Sequence, residues 1–247
     1  IKKDFRMADV IFANNVLAHV PNIDDVMKGI KNLLNTNGIF ISESPYLINL
    51  IKFNQFDTIY HEHFFYYSIT SFQNILKRNK LRLINIEKTS THGGSLRFIA
   101  CHEKSNLKPC EKNIKALIQT EKRLKIDSPE GFKNLNKNIK IIKNQYSKFI
   151  QKAKIENKKI AAFGAAAKGN TFLNYVDPDA TSNIDLLIDD TKYKQGFFFP
   201  GTDLKIENSD LIKKMKPDYL IILPWNHRDE IIKKNLYIRE WQGKFVT

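Results

Sequence analysis

Residues 60–68 read Tyr-His-Glu-His-Phe-Phe-Tyr-Tyr-Ser, two imidazoles on either side of a carboxylate, followed by four aromatic rings and a hydroxyl. Three kinds of chemistry share these residue types. His61 and His63 could be two ligands of a metal, although a catalytic metal takes a third and none is spaced nearby to supply it. Histidine titrates near neutrality, and an adjacent carboxylate such as Glu62 raises its basicity and fixes its tautomer, which suits acid/base work. The same residues could also form a polar cluster with no chemistry. In an extended strand Tyr60 and Glu62 would share one face and His61 and His63 the other, an alternation that a loop at a strand end relaxes.

Two further stretches carry groups that could meet an anion. In Thr91-His92-Gly93-Gly94-Ser95-Leu96-Arg97 the paired glycines let backbone amides approach a ligand, and Arg97 can fork onto a phosphate or carboxylate. An ordinary hairpin turn with an exposed arginine accounts for the same residues. Phe163-Gly-Ala-Ala-Ala-Lys-Gly-Asn170 resembles a strand-to-helix turn that holds phosphate on helix N-terminal amides, with Lys168 as counter-charge. It departs from the P-loop pattern, and close strand–helix packing through small residues explains Gly164–Ala167 equally well.

The elements that must position these groups are legible from periodicity. Residues 8–20 begin as an apolar run of strand length that ends in polar residues, as a buried parallel strand emptying into a loop would. Residues 22–34 have helical spacing, with Asn22 as N-cap and acids in the first turn, and Asn37-Gly38 is expected to stop the helix. Residues 38–45 form a second buried strand closed by Pro45. This strand–helix–strand order predicts a right-handed βαβ unit whose ligands lie at the C-terminal strand ends, at Asn14–His19 and Ser42–Tyr46. A helix capped by Ser68 or Thr70 follows, then two alternating strands joined across Thr91–Gly94. From Ser105 to about Lys159 the chain is lysine-rich and helical in period, broken at Ser128–Gly131. A new βα unit starts at Lys159, a further buried strand lies at 184–190, and the stretch 217–231 holds a third, followed by a helix.

Composition narrows the function class. The chain has 247 residues, 42% of them apolar, enough for a sizeable core. No stretch approaches the roughly 18–20 apolar residues of a spanning helix, so no membrane partner is expected. Cys101 and Cys110 form no Cys-x-x-Cys pair, which leaves no disulfide framework or cysteine zinc site and fits a reducing cytoplasm. The net charge of +14 is spread over lysine-rich solvated faces, and no signature of a nucleic-acid binder interleaves it with aromatic residues.

Taken jointly and in order, YHEHFFYYS, HGGSLR, GAAAKGNTFLNY, IDD, KQGFFFPGT and LPWN closely resemble the S-adenosylmethionine-dependent C-methyltransferases that act on nucleotide-linked keto-deoxysugars. The resemblance covers nearly the whole chain. It implies an α/β architecture: the C-terminal half of a class I, Rossmann-like methyltransferase domain over 1–104, a helical connector over 105–156, and a second small Rossmann-like α/β domain over 157–247 that binds the nucleotide sugar. It implies that His63 removes a proton next to the sugar ketone, that Tyr60 and Glu62 position the base or the enolate oxygen, and that His61 orients its neighbours. Asn14, Asn15 and His19 would touch S-adenosylmethionine. His92, Gly93, Gly94, Ser95, Arg97, Lys168, Gly169, Asn170 and Lys194 would face the sugar and its diphosphate. No metal site is implied within this chain, because zinc in the family belongs to a cysteine-rich upstream module. No glycine-rich donor loop precedes Asp9, so the chain, from Ile1 to its final Gly-Lys-Phe-Val-Thr, is expected to be the latter part of such an enzyme, impaired in donor binding. Two other readings stand beside this one: a nucleotide-sugar binding module without catalysis, and a nucleotide-dependent oxidoreductase or epimerase, which lacks its usual Gly-x-Gly-x-x-Gly and Tyr-x-x-x-Lys here.

Overall fold

The computed structural model describes residues 6–247, arranged as two compact units. One runs to Gln55 and resumes over His61–Leu135, and the other takes Phe56–Tyr60 and Asn136–Thr247. Residues 1–5 of the 1–104 stretch, with the Ile1 start, lie outside the described residues. Among the described residues no helix is long and apolar enough to cross a membrane.

In the first unit β1 (Ala8–Asn14) leads through a 3₁₀ turn at Leu17–His19 into α1 (Ile23–Leu33). Asn22 caps α1, its side chain accepting the Asp25 N–H at 3.3 Å, while Asp24 and Asp25 complement the positive helix end. The helix stops at Leu33 rather than at Asn37-Gly38, and β2 (Leu34–Pro45) already begins at Leu34. The pairing explains the difference: Leu34 faces Ala8 and Ile39 faces Val10, so the residues between them bulge inside the strand and Asn37-Gly38 serves that bulge. Next come α2 (Leu47–Lys52), α3 (Ile69–Arg78), β3 (Leu81–Thr89), β4 (Ser95–His102) and α4 (Glu111–Arg123). The sheet order is β1-β2-β4-β3, with β1 parallel to β2 and the other pairs antiparallel. Ala13, Phe40, Leu96, Phe98 and Ala100 line the core, where Phe72 of α3 stacks on Phe98 at 4.1 Å between ring centroids. β1 is not buried on both faces as its apolar run suggested. It is the sheet edge, and Val10 and Phe12 are exposed, because an apolar run specifies extended backbone without specifying what covers it.

One row of side chains crosses this sheet in register: Asn14 opposite Glu43, Glu43 opposite Arg97, Arg97 opposite Glu87. The Arg97 guanidinium donates to Glu43 at 2.9 Å and lies 3.5 Å from Glu87, and Thr91 Oγ1 donates to Glu43 at 2.5 Å. Burial pushes the Glu43 carboxyl up, but the hydrogen bonds from Thr91 and Arg97 outweigh it and hold the group below the ordinary glutamate range.

The second unit is built on α5 (Lys133–Ile155), which the division at Leu135 leaves mostly to this unit. The lysine-rich segment is therefore shared: Ile114 of α4 enters the first core and Tyr146, Ile150 and Ala153 of α5 the second. The remaining elements are β5 (Ile160–Phe163), α6 (Ala167–Tyr175), α7 (Pro178–Ser182), β6 (Leu186–Ile188), β7 (Ile206–Glu207), α8 (Asp210–Met215), β8 (Tyr219–Ile222), α9 (Arg228–Lys234) and β9 (Lys244–Val246). The sheet is fully parallel in the order β7-β6-β5-β8-β9, a Rossmann-like arrangement. β7 and β9, two and three residues long, are too short to be read from alternation. Along β5, Ile160 and Ala162 enter one core and Ala161 and Phe163 the other, as a strand covered on both faces requires. The order reverses between β5 and β8, where Gly164 turns at φ +99° and an added Cβ would lie 2.4 Å from Pro224 Cδ.

Gly164→Ala is expected to cost about 2–5 kcal/mol, left-handed strain adding to the clash, and urea unfolding checks it. A loss below about 0.5 kcal/mol would contradict the close approach. Glu43→Gln is expected to lower stability by about 1–2 kcal/mol at neutral pH. Because the folded carboxyl titrates below its unfolded value of about 4.3, its contribution is present above that value and is lost as pH falls through the lower folded one. Unfolding curves at successive acid pH values should therefore converge for the wild type and Glu43→Gln, and a constant gap between them would contradict the assignment.

Candidate functional site

Residues 60–66 form an irregular turn, so the period-two rule does not govern the histidines. His61 and Glu62 are exposed and His63 is half-buried. The His63 ring packs edge-on against His19 at 4.7 Å and against Tyr66 at 5.7 Å between centroids. Phe64 N–H donates to Ala18 O at 2.8 Å and Tyr67 Oη donates to Leu17 O at 3.0 Å, which fastens this loop to the 3₁₀ turn that follows β1. The structure thus brings His63 and His19 together at the C-terminal end of β1. His61 lies outside that pair, and Tyr60 closes the five-residue segment that belongs to the second unit. Among the described residues no three His, Cys, Asp or Glu side chains converge on a metal position.

Asn14 is exposed at the strand end. Asn15 adopts φ 53°, its N–H donating to Glu43 O at 2.8 Å, and its buried Oδ1 accepts no hydrogen bond. An asparagine tolerates this left-handed backbone better than most residues.

The Thr91–Gly94 turn is held from behind. Asn49 Nδ2 donates to Gly93 O at 3.4 Å and to Gly94 O at 3.3 Å, Gln55 Nε2 donates to Gly93 O at 3.1 Å, and Gly94 N–H donates to Thr91 O at 2.9 Å. Gly94 has φ +106°, and a Cβ there would lie 2.0 Å from Asn49 Nδ2, so the Asn49 contact accounts for this glycine. His92 is exposed at φ 52°, and Ser95 is buried, its Oγ donating to Thr91 O at 3.1 Å. Arg97 is held by Glu43 and Glu87 rather than presented as an open fork.

In the second unit the turn after β5 and the turn after β8 meet. Lys168 Nζ donates to Asn226 Oδ1 at 3.0 Å and lies 4.5 Å from the Trp225 ring centroid, a cation–π contact. Trp225 Nε1 donates to Asp57 Oδ2 at 2.6 Å. Burial pushes Asp57 up and Lys168 down from their ordinary values, and their mutual attraction opposes both shifts. Phe56, next to Asp57, packs against Tyr175 and Phe172 at 5.1 and 6.1 Å. No side chain caps the start of α6. The neighbouring residues have internal tasks: Gly169 is buried beneath Leu223, Asn170 Nδ2 donates to Pro200 O at 2.6 Å, and Lys194 Nζ donates to Ala165 O at 2.8 Å and pairs with Asp189 at 3.2 Å. Asp189 also accepts the N–H groups of Ala165 and Thr191, both at 2.8 Å. Burial raises the Asp189 carboxyl, but the hydrogen bonds from Thr191 and the charge of Lys194 hold it below its usual value.

Sequence reading assigned no role to Asn49, Asp57, Trp225 or Asn226, although Trp225 and Asn226 close the LPWN stretch that carries part of the resemblance. For the last two a further signal existed: they follow β8, the strand across the order reversal from β5, and open parallel sheets of this kind bind ligands at such a reversal. Asp57 and Asn49 lie in a stretch with neither clear period nor motif.

Comparison with known proteins places the chain in a family. Residues 90–247 match the family model of the C-methyltransferase C-terminal domain, and residues 2–86 match that of a methyltransferase domain. C-methyltransferase NovU of Streptomyces niveus is 28% identical over 98% of this chain, which spans 57% of the length of that relative. The first match begins at the β3–β4 turn and takes in every structural feature described for the second unit after residue 136, so the chain belongs to the C-methyltransferase family defined by that C-terminal domain.

Proposed function

We propose that this chain takes part in S-adenosylmethionine-dependent methylation of a carbon next to the ketone of a nucleotide-linked deoxysugar, with His63 as the base. The observation that carries the reading is the His19–His63 ring pair at the C-terminal end of β1, the end at which parallel βαβ units present their ligands. S-adenosylmethionine, when bound, supplies an electrophilic methyl group on a sulfonium. The rest of the chemistry falls to side chains. His63, half out of water and constrained edge-on by His19 and Tyr66, takes the sugar proton on an imidazole nitrogen. Glu62 supports the imidazolium that results, and Tyr60 supplies a hydroxyl for the oxygen on which enolate charge develops. His61, exposed, has a lesser role as an orienter.

Asn14, Asn15 and His19 are the residues we assign to the donor. The unpaired Asn15 Oδ1 fits an ammonium or amine N–H, which supports that assignment on chemical grounds. In the second unit Lys168 is the cation we assign to the diphosphate, since its hydrogen-bond partner Asn226 is neutral and leaves the charge in place. Arg97, already met by two carboxylates, shapes the turn that carries His92. A dinucleotide-dependent oxidoreductase is disfavoured by Asp189, whose carboxylate already takes the Ala165 amide in the turn where a pyrophosphate would need it.

In the full-length protein, His63→Ala is expected to lower methyl transfer roughly a hundredfold to ten-thousandfold while nucleotide-sugar affinity stays within a few fold, because a base acts mainly in the transition state. Glu62→Gln should fall between His63→Ala and the milder His61→Ala. Steady-state transfer of a labelled methyl group, with calorimetric binding alongside, measures both quantities. Near-normal turnover of His63→Ala would return the loop to a polar cluster and favour a binding module.

A further inference from the structure

Glu121 is 2% exposed, and it belongs to a helix whose neighbouring positions are lysine-rich and solvated. Its carboxylate accepts four hydrogen bonds: from Ile69 N–H at 2.6 Å, Thr70 N–H at 3.0 Å, Thr70 Oγ1 at 2.8 Å and Tyr46 Oη at 3.2 Å. Ile69 and Thr70 open α3, the helix that directly follows the His63 loop. The first amides of a helix have no partner within it. Here Ser68 serves Ser71 N–H through a capping box, and Glu121 serves the two amides before it. A carboxylate is favoured at this positive helix end, and its hydrogen bonds are of the stronger, charge-assisted kind.

The contacts around Glu121 reach the loop from both sides. Tyr46, next after β2, forms an isolated bridge to Tyr67, Leu47 N–H donates to Tyr67 O at 3.1 Å, and Tyr67 Oη reaches back to Leu17 O. At the other end Phe64 N–H is held by Ala18 O. The short span from His63 to Ile69 is thus fixed at Phe64, at Tyr67 and at the start of α3, and of these the α3 anchor is a single side chain from α4.

We propose that Glu121 is a positioning residue for His63: by pinning the start of α3 to α4 and to Tyr46, it sets the place of the loop that presses the His63 ring onto His19. The catalytic meaning of this rests on the reading of His63 as the base; the positioning itself does not. Glu121→Gln keeps the shape but sets an NH₂ donor against two amide donors.

The test uses the isotope-labelled 247-residue chain without substrate. Since first-turn amides lack helical partners, protection of Ile69 and Thr70 from hydrogen exchange reports on Glu121 directly. In Glu121→Gln both amides are expected to exchange about tenfold faster or more, the His19–His63 ring-to-ring nuclear Overhauser contact to weaken, and the His63 titration midpoint to move while that of exposed His61 stays in place. Loss of protection at Ile69 and Thr70 with an unchanged His63 midpoint and an intact ring contact would overturn the proposal and leave Glu121 as a structural cap. If Glu121→Gln does not fold, Thr70→Val and Tyr46→Phe each remove one partner and keep the carboxylate. They should move His63 in the same direction by less, and no movement in either overturns it as well. None of these signals needs turnover, so an active His63→Ala would remove the base assignment without touching this result.

Discussion

A carboxylate taken out of water must be met by donors, and in this basic chain the buried charged side chains among the described residues are all acids: Glu43, Asp57, Glu121 and Asp189. Each fastens a loop that carries candidate chemistry. Glu43 holds Thr91 and Arg97 of the β3–β4 turn, Glu121 holds the start of α3 behind the His63 loop, Asp189 holds the turn after β5 together with Lys194, and Asp57 is tied to Trp225 beside Lys168. The geometry of both units at their strand ends depends on these four groups finding their donors. Loops are otherwise the least determined parts of an α/β fold, and charge-assisted bonds from backbone and side-chain donors fix them at the level of single atoms.

The same view separates residues that look alike in the sequence. Arg97, Lys168 and Lys194 are all cations beside glycine-rich turns, yet Arg97 and Lys194 are ion-paired with carboxylates while Lys168 hydrogen-bonds a neutral amide, lies over an indole face and is only attracted electrostatically by Asp57. Gly94 and Gly164 are both left-handed, and both are explained by a neighbour approaching too closely for a Cβ, Asn49 in one case and Pro224 in the other. A glycine-rich turn therefore does not imply a bound anion, and here it is the pairing of the nearby charge that discriminates.

Much of the fold was legible because its elements carry local signals. The Asn22 cap, the Ser68 cap, the β3–β4 hairpin and the βα unit at Gly164 all stand where periodicity and capping placed them. The end of α1 was misjudged because Asn37-Gly38 is a turn signal in isolation and a bulge in the context of β1 pairing. β1 read as buried because its sequence is apolar, and it lies at an edge. The His63–His19 contact joins residues 44 positions apart through a turn with no period, which no local pattern encodes. Glu121 was hidden by its surroundings, since one glutamate among the lysines of α4 has the sequence signature of a solvated ion pair.

The central claim is that His63 removes a proton from the carbon next to the sugar ketone. The most direct measurement is exchange of that proton with deuterated solvent, followed by NMR on a nucleotide-linked keto-deoxysugar in the absence of S-adenosylmethionine, for the wild-type protein and for His63→Ala. Enzyme-dependent exchange that disappears in His63→Ala, with the sugar still bound, is the result this account expects. Exchange at the wild-type rate in His63→Ala would contradict it and move the base elsewhere.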